Sequence, residues 1–192
     1  IGINKLGGHF VYLDSKANHL DGREGMADTA ANLGCWGDAI VARVFKHETL
    51  ESFSQSCEVP VINALCDLYH PCQAMADFLT LAENFGDVSN VKLVYVGDGN
   101  NVSNSLLLVG AHLGAEVVVI TPKGFDVNPE IVATANNIAK DTGAKISASN
   151  DLSEAKGANV IYTDTWLSMG DNTPLNVIKE SFMPYQVNDS LM

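Results

Sequence analysis

Arginine is nearly absent: of 192 residues only Arg23 and Arg43 carry a guanidinium. Basic side chains number 11 against 23 acidic ones, for a formal charge of −12 at pH 7. That balance argues against nucleic acid and anionic membranes as main partners, since both are held chiefly by Lys and Arg. A small anion in a local pocket of donors remains open, and each arginine is a candidate for holding it. Long apolar runs are lacking too. Leu106–Val109, Val117–Ile120 and Val160–Tyr162 fall far short of the ~18 residues that span a bilayer. No basic flank followed by an apolar stretch opens the chain, so a signal peptide is not expected and a cytoplasmic location is. The 46% hydrophobic and 18% charged content excludes a disordered or collagen-like chain.

Cysteine is sparse and its spacing carries no framework. Cys35, Cys57, Cys66 and Cys72 form no C-x-x-C pair and fit neither a zinc ribbon nor a secreted disulfide pattern. Cys66, His70 and Cys72 lie near one another, but a structural zinc needs a fourth ligand and none is evident. Buried free thiols are the expectation, and no metal.

Repeats and low-complexity linkers are also missing. Short β-rich runs alternate with helical patterns, the signature of βαβ units and parallel sheets. Strands are expected near His9–Leu13, Asp38–Arg43 and Val59–Asn63, with helices near Glu24–Leu33 and Glu48–Ser56. A longer helix runs from about His70 to Asn84, with Met75, Phe78, Leu79 and Ala82 at spacings of three and four, and Gly86 ends it. Strands then recur at Lys92–Gly97, Glu116–Thr121, Lys145–Ser149 and Asn159–Thr163. Helices Val102–Leu113 and Pro129–Asp141 and a shorter one separate them. The expected fold is α/β: parallel sheets with helices on both faces, in two lobes joined by a helix, the second lobe Rossmann-like and doubly wound. The lobes would comprise residues 1–69 and 87–192, with the joining helix at 70–86. The chain opens like the tail of a helix, lacks an initiator methionine and closes just after Asp189, so it reads as cut at both ends.

In open α/β sheets ligands bind beyond the carboxyl ends of the strands. That rule selects Arg43, Asn63, His70, Asn100, Asn101 and Asp164, expected to converge on one cleft. Each has a plainer use: a surface ion pair for Arg43, a helix start for His70, turn formation for Asn100 and Asn101, a helix cap for Asp164. The acidic residues Glu24, Asp28, Glu48 and Glu51 read as solvated helix faces, and Trp36 and Trp166 as packing residues. The Gly97-Asp98-Gly99-Asn100-Asn101 turn lacks the third glycine of a dinucleotide fingerprint. No acidic residue closes the following strand either, and both absences argue against a nicotinamide cofactor.

Several segments together resemble the transcarbamoylases, and among them ornithine carbamoyltransferase. They are His70-Pro71-Cys72-Gln73 after Val59-Pro60-Val61-Ile62-Asn63, the turn Gly97-Asp98-Gly99-Asn100-Asn101-Val102, and Asp164-Thr165-Trp166-Leu167-Ser168-Met169-Gly170. Tyr185-Gln186-Val187-Asn188 and Leu6-Gly7-Gly8-His9 also fit, and the likeness runs the length of the chain. The resemblance implies transfer of the carbamoyl group of carbamoyl phosphate to the δ-amine of L-ornithine, giving L-citrulline and phosphate, with no cofactor. It implies catalytic roles for Arg43 and His70 on the carbamoyl oxygen, and for Gln73 as acceptor from the carbamoyl NH₂. Asn101 and Asp164 would hold the amino-acid end of ornithine, with Ser168 and Met169 on a loop folding over it. His19 would reach carbamoyl phosphate in a neighbouring subunit of a homotrimer.

Two family motifs are not in the chain: the phosphate cradle Ser-x-Arg-Thr-Arg, which would precede Ile1, and His-Cys-Leu-Pro, which would follow Met192. The chain alone is therefore expected to be weakly active or inactive. The alternatives are a short non-catalytic homologue that binds ligands or partners, and a transcarbamoylase for another amine such as putrescine or an acylated ornithine. Putrescine has no α-amino-acid end for Asp164, Ser168 and Met169 to hold.

Overall fold

The computed structural model describes residues 1–14, 25–167, 170 and 172–192. The helices are α1 (Gly2–Lys5), α2 (Met26–Trp36), α3 (His47–Ser56), α4 (Pro71–Phe85), α5 (Asn101–Leu113), α6 (Pro129–Thr142) and α7 (Leu175–Phe182). The strands are β1 (Ile40–Arg43), β2 (Val61–Leu65), β3 (Lys92–Val96), β4 (Glu116–Ile120), β5 (Lys145–Ser149) and β6 (Val160–Tyr162). β1 and β2 form a two-stranded sheet, and the other four align in the order β5-β4-β3-β6. All three pairings in that larger sheet are parallel.

The chain divides into two compact units, Ile1–Ile40 with Glu48–Ile62, and Val41–His47 with Asn63–Met192. In the first unit Thr29, Ala30, Leu50 and Phe53 are buried, and the Cys57 thiol donates to the Phe53 carbonyl at 3.1 Å. The expected strand at His9–Leu13 is not formed. Val11 and Tyr12 are 85% and 77% exposed, and among the described residues no strand pairs with this short apolar run. Pairing and burial, rather than the pattern itself, stabilise a strand.

The second unit is built on the parallel sheet. Side chains alternate across a strand, so each strand supplies both faces. Leu93, Tyr95, Val117, Val119 and Ile146 pack on one side with Phe78 of α4, Leu106 and Leu107 of α5, and Ala135 of α6. Val94, Val96, Val118 and Ile120 pack on the other with Ala155, Leu152, Tyr185, Val187 and Leu191. Strands buried on both faces read as continuous β-branched runs, as Glu116–Ile120 does. Helix α5 crosses from β3 to β4 and α6 from β4 to β5, while the return to β6 is only a 3-10 turn, Leu152–Ala155.

Each helix start has a local cause. Pro71 and Pro129 occupy the first position of α4 and α6, where a missing N–H costs nothing. Asn100 caps α5 by accepting from the Val102 and Ser103 amides at 3.0 and 3.2 Å, which is the turn-forming use expected of it. Helix α7 is an addition to the sequence reading; it begins after Pro174 and buries Ile178 and Phe182. Among the described residues no helix is long and apolar enough to cross a membrane.

Candidate active site

Five of the eight expected site residues fall on described positions, all in the second compact unit. His19, Ser168 and Met169 lie outside the described residues. Arg43 ends β1 with its side chain exposed. His70 immediately precedes α4, Gln73 lies in its first turn, Asn101 opens α5, and Asp164 follows β6 by two residues. β3 and β6 are neighbours in the sheet. They flank the point where the strand order reverses, and there the connections leave to opposite sides and open a crevice.

His70 does more than start a helix. Its backbone N–H donates to Ser105 Oγ of α5 at 2.8 Å, and its carbonyl receives the Ala74 amide at 3.2 Å. The ring makes no capping bond, and Nδ1 is buried without a hydrogen-bond partner. Burial disfavours the imidazolium and the Arg43 charge adds to this, so His70 titrates below 6.5 against the opposing pull of Asp164 and Asp77. These couplings bring Arg43, His70, Asp77 and Asp164 within electrostatic reach of one another. At neutral pH the ring is uncharged and offers one N–H donor and one acceptor.

The sign of the linkage follows. The folded state binds this proton less readily than the unfolded chain. Stability is therefore lost as pH falls from about 6.5 to the folded midpoint, and no further below it. In an NMR titration the His70 C2–H midpoint is expected below 6.5. Arg43→Met is expected to raise it and Asp164→Asn to lower it further. An Arg43→Met curve identical to wild type would put the guanidinium out of range of the ring.

The loop leading to His70 is held by side chains of α5 and by a buried sulfur. Asn101 Nδ2 donates to the Cys66 carbonyl at 2.6 Å, and Asn104 Nδ2 donates to the Leu68 carbonyl at 3.0 Å. The Cys66 sulfur is fully buried and receives the Tyr69 amide and Asn63 Nδ2, each at 3.3 Å. It lies 3.4 Å from His47 Nδ1. The expectation of buried thiols holds for Cys66, whereas Cys35 and Cys72 are exposed, Cys72 because its helix turns that position outward. Among the described residues no group of three or more His, Cys, Asp or Glu could hold a metal ion.

On the sheet side, Tyr162 of β6 stacks on Tyr95 of β3 with ring centroids 5.8 Å apart. Burial, with Asp77 and Asp164 beside it, pushes the Tyr162 hydroxyl up to about 12. Tyr95 is raised further by deeper burial. Asp164 Oδ1 accepts the Thr165 amide at 2.7 Å; this is a contact to the next residue and not a helix cap, and the helix that follows in the described residues begins at Leu175. Gln73 Nε2 donates to Asp77 Oδ1 at 2.8 Å. The spacing of four residues in a helix was the available signal for Asp77. For Cys66 and Ser105 there was none, because their partners are distant in sequence.

Comparison with known proteins gives concordant matches. The family described as aspartate/ornithine carbamoyltransferase, carbamoyl-P binding domain, matches residues 1–83. Its companion, the Asp/Orn binding domain, matches residues 89–192. An ornithine carbamoyltransferase of Shewanella oneidensis is 56% identical over 192 residues, covering 100% of this chain and 64% of the relative. One from Moritella abyssi is 54% identical with the same coverage. The solved ornithine carbamoyltransferase of Pyrococcus furiosus superposes with a TM-score of 0.93 at 43% identity, over 98% of this chain and 60% of that one. The anabolic ornithine carbamoyltransferase of Campylobacter jejuni gives 0.91 at 37% identity, over 99% and 63%. The chain thus spans a little under two thirds of the length of the relatives it matches. With one domain of the pair matched over each half of its sequence, this chain belongs to the aspartate/ornithine carbamoyltransferase family.

Proposed function

We propose that the protein to which this chain belongs transfers the carbamoyl group of carbamoyl phosphate to the δ-amine of L-ornithine, releasing L-citrulline and phosphate. The observation that carries the reading is the junction of the His70 loop with the start of α5, where the His70 N–H donates to Ser105 Oγ and Asn101 Nδ2 to the Cys66 carbonyl. A junction of this kind supports one residue for a carbamoyl oxygen and one for the amino-acid end of ornithine acting in the same region. The neutral δ-amine attacks the carbamoyl carbon. The oxygen gains negative charge as the carbon becomes tetrahedral, and the N–H donors of Arg43 and His70 meet that charge without reorganising. Collapse expels phosphate, and the amine loses its proton. An uncharged His70 suits this role, because a ring N–H donates to the oxyanion while Arg43 alone carries the positive charge.

Asp164 holds the α-ammonium group of ornithine. Asn101, with its NH₂ end already committed to the Cys66 carbonyl, presents its carbonyl oxygen as an acceptor. Ser168 and Met169 close over the amino acid, and His19 serves a neighbouring subunit in a homotrimer. Residues 1–69 form the carbamoyl-phosphate lobe, 70–86 the joining helix and 87–192 the ornithine lobe. The setting is arginine metabolism in the cytoplasm. The 192-residue chain by itself is expected to make little or no citrulline.

Titrating the isotope-labelled chain with L-ornithine and with putrescine tests the assignment. L-ornithine is expected to shift the Asn101 side-chain and Thr165 amide signals, and Asp164→Asn to weaken it about 10–100-fold, as for hydrogen bonds to charged groups. Equal or stronger shifts with putrescine would sink the ornithine assignment. Citrulline made by the chain alone and lost in His70→Ala would show that these 192 residues suffice for catalysis.

A further inference from the structure

Gln73 carries a primary amide with two chemically opposite ends, and nothing in a helix start by itself decides which end faces where. The residue four positions on is Asp77, and Gln73 Nε2 donates to its Oδ1 at 2.8 Å. An ionised carboxylate has acceptors only, so it can engage the NH₂ end of the amide and not the carbonyl end. The carbonyl Oε1 is thereby turned away from Asp77 as an acceptor of fixed direction.

We propose that Asp77 is the positioning residue of the site, locking the Gln73 amide so that its Oε1 is presented to the NH₂ of a carbamoyl group. The inference rests on the carbamoyl-transfer reading above and adds to it what decides the orientation. A purely structural role explains Asp77 poorly. A carboxylate–amide pair four residues apart on a helix adds little stability, whereas the second oxygen of Asp77, Oδ2, is buried beside the Tyr162 hydroxyl, and taking a charged group out of water costs stability. The same carboxylate faces Tyr162 and His70. It therefore stands among the reacting groups instead of on the solvent side of α4.

A carbonyl acceptor discriminates one feature of a ligand: whether the group beside the acyl carbon carries N–H. Acetyl phosphate has a methyl group where carbamoyl phosphate has NH₂ and is otherwise alike, and inorganic phosphate has neither. A correctly held Gln73 favours carbamoyl phosphate over acetyl phosphate and is indifferent to inorganic phosphate. Asp77→Asn can offer either its own donor or its own acceptor, so Gln73 is free to flip. Asp77→Glu keeps an acceptor-only partner.

The experiment uses the isotope-labelled 192-residue chain, with the Gln73 side-chain NH₂ signals assigned by their loss in Gln73→Met. In the wild type these signals are expected away from the free-amide position and slow to exchange with water. In Asp77→Asn they return to the free-amide position, and the carbamoyl-to-acetyl phosphate affinity ratio falls about tenfold, the value of one hydrogen bond. Inorganic phosphate binding stays unchanged, and Asp77→Glu keeps most of the ratio. Gln73 signals at the free-amide position in the wild type would overturn the proposal, even if Asp77→Asn failed to fold. So would an unchanged ratio in Asp77→Asn, or an equal loss for all three anions. A chain that binds none of the three reflects the phosphate cradle it does not carry, and the Gln73 signals then decide the role of Asp77 alone.

Discussion

Gly99→Ala is expected to destabilise the second compact unit by about 3 kcal/mol, the upper end for forcing an extra carbon into a packed site. A Cβ at Gly99 would stand 2.5 Å from the Asp126 carbonyl carbon and the Val127 nitrogen, and 2.6 Å from the Asp126 oxygen. These are backbone atoms, with no flexible side-chain end to swing aside. Nor can the opposing segment yield easily. Asp126 Oδ1 accepts Asn150 Nδ2 at 2.8 Å and its Oδ2 accepts the Gly124 amide at 3.1 Å, bonds that hold its carboxyl below the usual carboxylate range. Asn150 Nδ2 also donates to the Thr121 carbonyl at 2.9 Å. The Gly99 amide itself donates to the Phe125 carbonyl at 2.9 Å. The turn must therefore move, and with it the Asn100 cap and Asn101. Urea unfolding checks the loss, and L-ornithine titration checks that binding weakens more than stability does. Gly124→Ala makes a good control: its φ is +89° but no atom lies within 4 Å, so only the cost of a left-handed backbone, about 1–2 kcal/mol, is expected. Equal losses at the two positions would refute the steric argument.

Phe182→Ala is expected to cost about 3–5 kcal/mol, as for a large aromatic removed from a core. Phe182 is fully buried. Its ring meets Phe125 edge-on with centroids 4.7 Å apart and stacks against Trp166 at 5.8 Å. One ring from α7 thus supports both the segment that presses on Gly99 and the segment that follows Asp164. The only other tryptophan is Trp36, so in a Trp36→Phe background the fluorescence reports Trp166 alone. A red shift in the folded Phe182→Ala protein, together with a lower urea midpoint, is the expected result. A midpoint within experimental error of the parent would mean that the cavity collapses without cost.

The second unit was legible because its signals are local and redundant. Lys92–Gly97 and Glu116–Thr121 are short runs rich in β-branched residues, Lys145–Ser149 is a short run between turn residues, and the observed strands lie within them. Where one signal stood alone, reading failed. His9–Leu13 has strand-like composition but no partner strand among the described residues, and α7 follows a polar, proline-bearing stretch that masks its start. The site divides in the same way. Arg43, His70, Asn101 and Asp164 were reachable because chain order and strand ends locate them. Cys66, Ser105 and Tyr162 were not, since their roles depend on rotamers and on partners such as Asn101, His70 and Tyr95 that only the folded chain brings near. Asp77 lay between the two cases, visible as a helical neighbour of Gln73 but without a direction until the side chains were placed.

Gly110 has a bearing on how this protein can drift in sequence. Its missing side chain makes room for Val117 of β4, with Phe78 Cζ of α4 3.0 Å from where a Cβ would sit. The two helices are therefore bolted together at Phe78 and Gly110, eight residues from His70 and nine from Asn101. At 1.5 Å per residue both bolts lie about 12–14 Å from the working ends. The spacing between His70 and Asn101 is thus gauged by a fastening remote from any ligand. Exposed α4 positions such as Met75 and Leu79 can change freely without altering that gauge, whereas a methyl group added at position 110 would reset it from a distance.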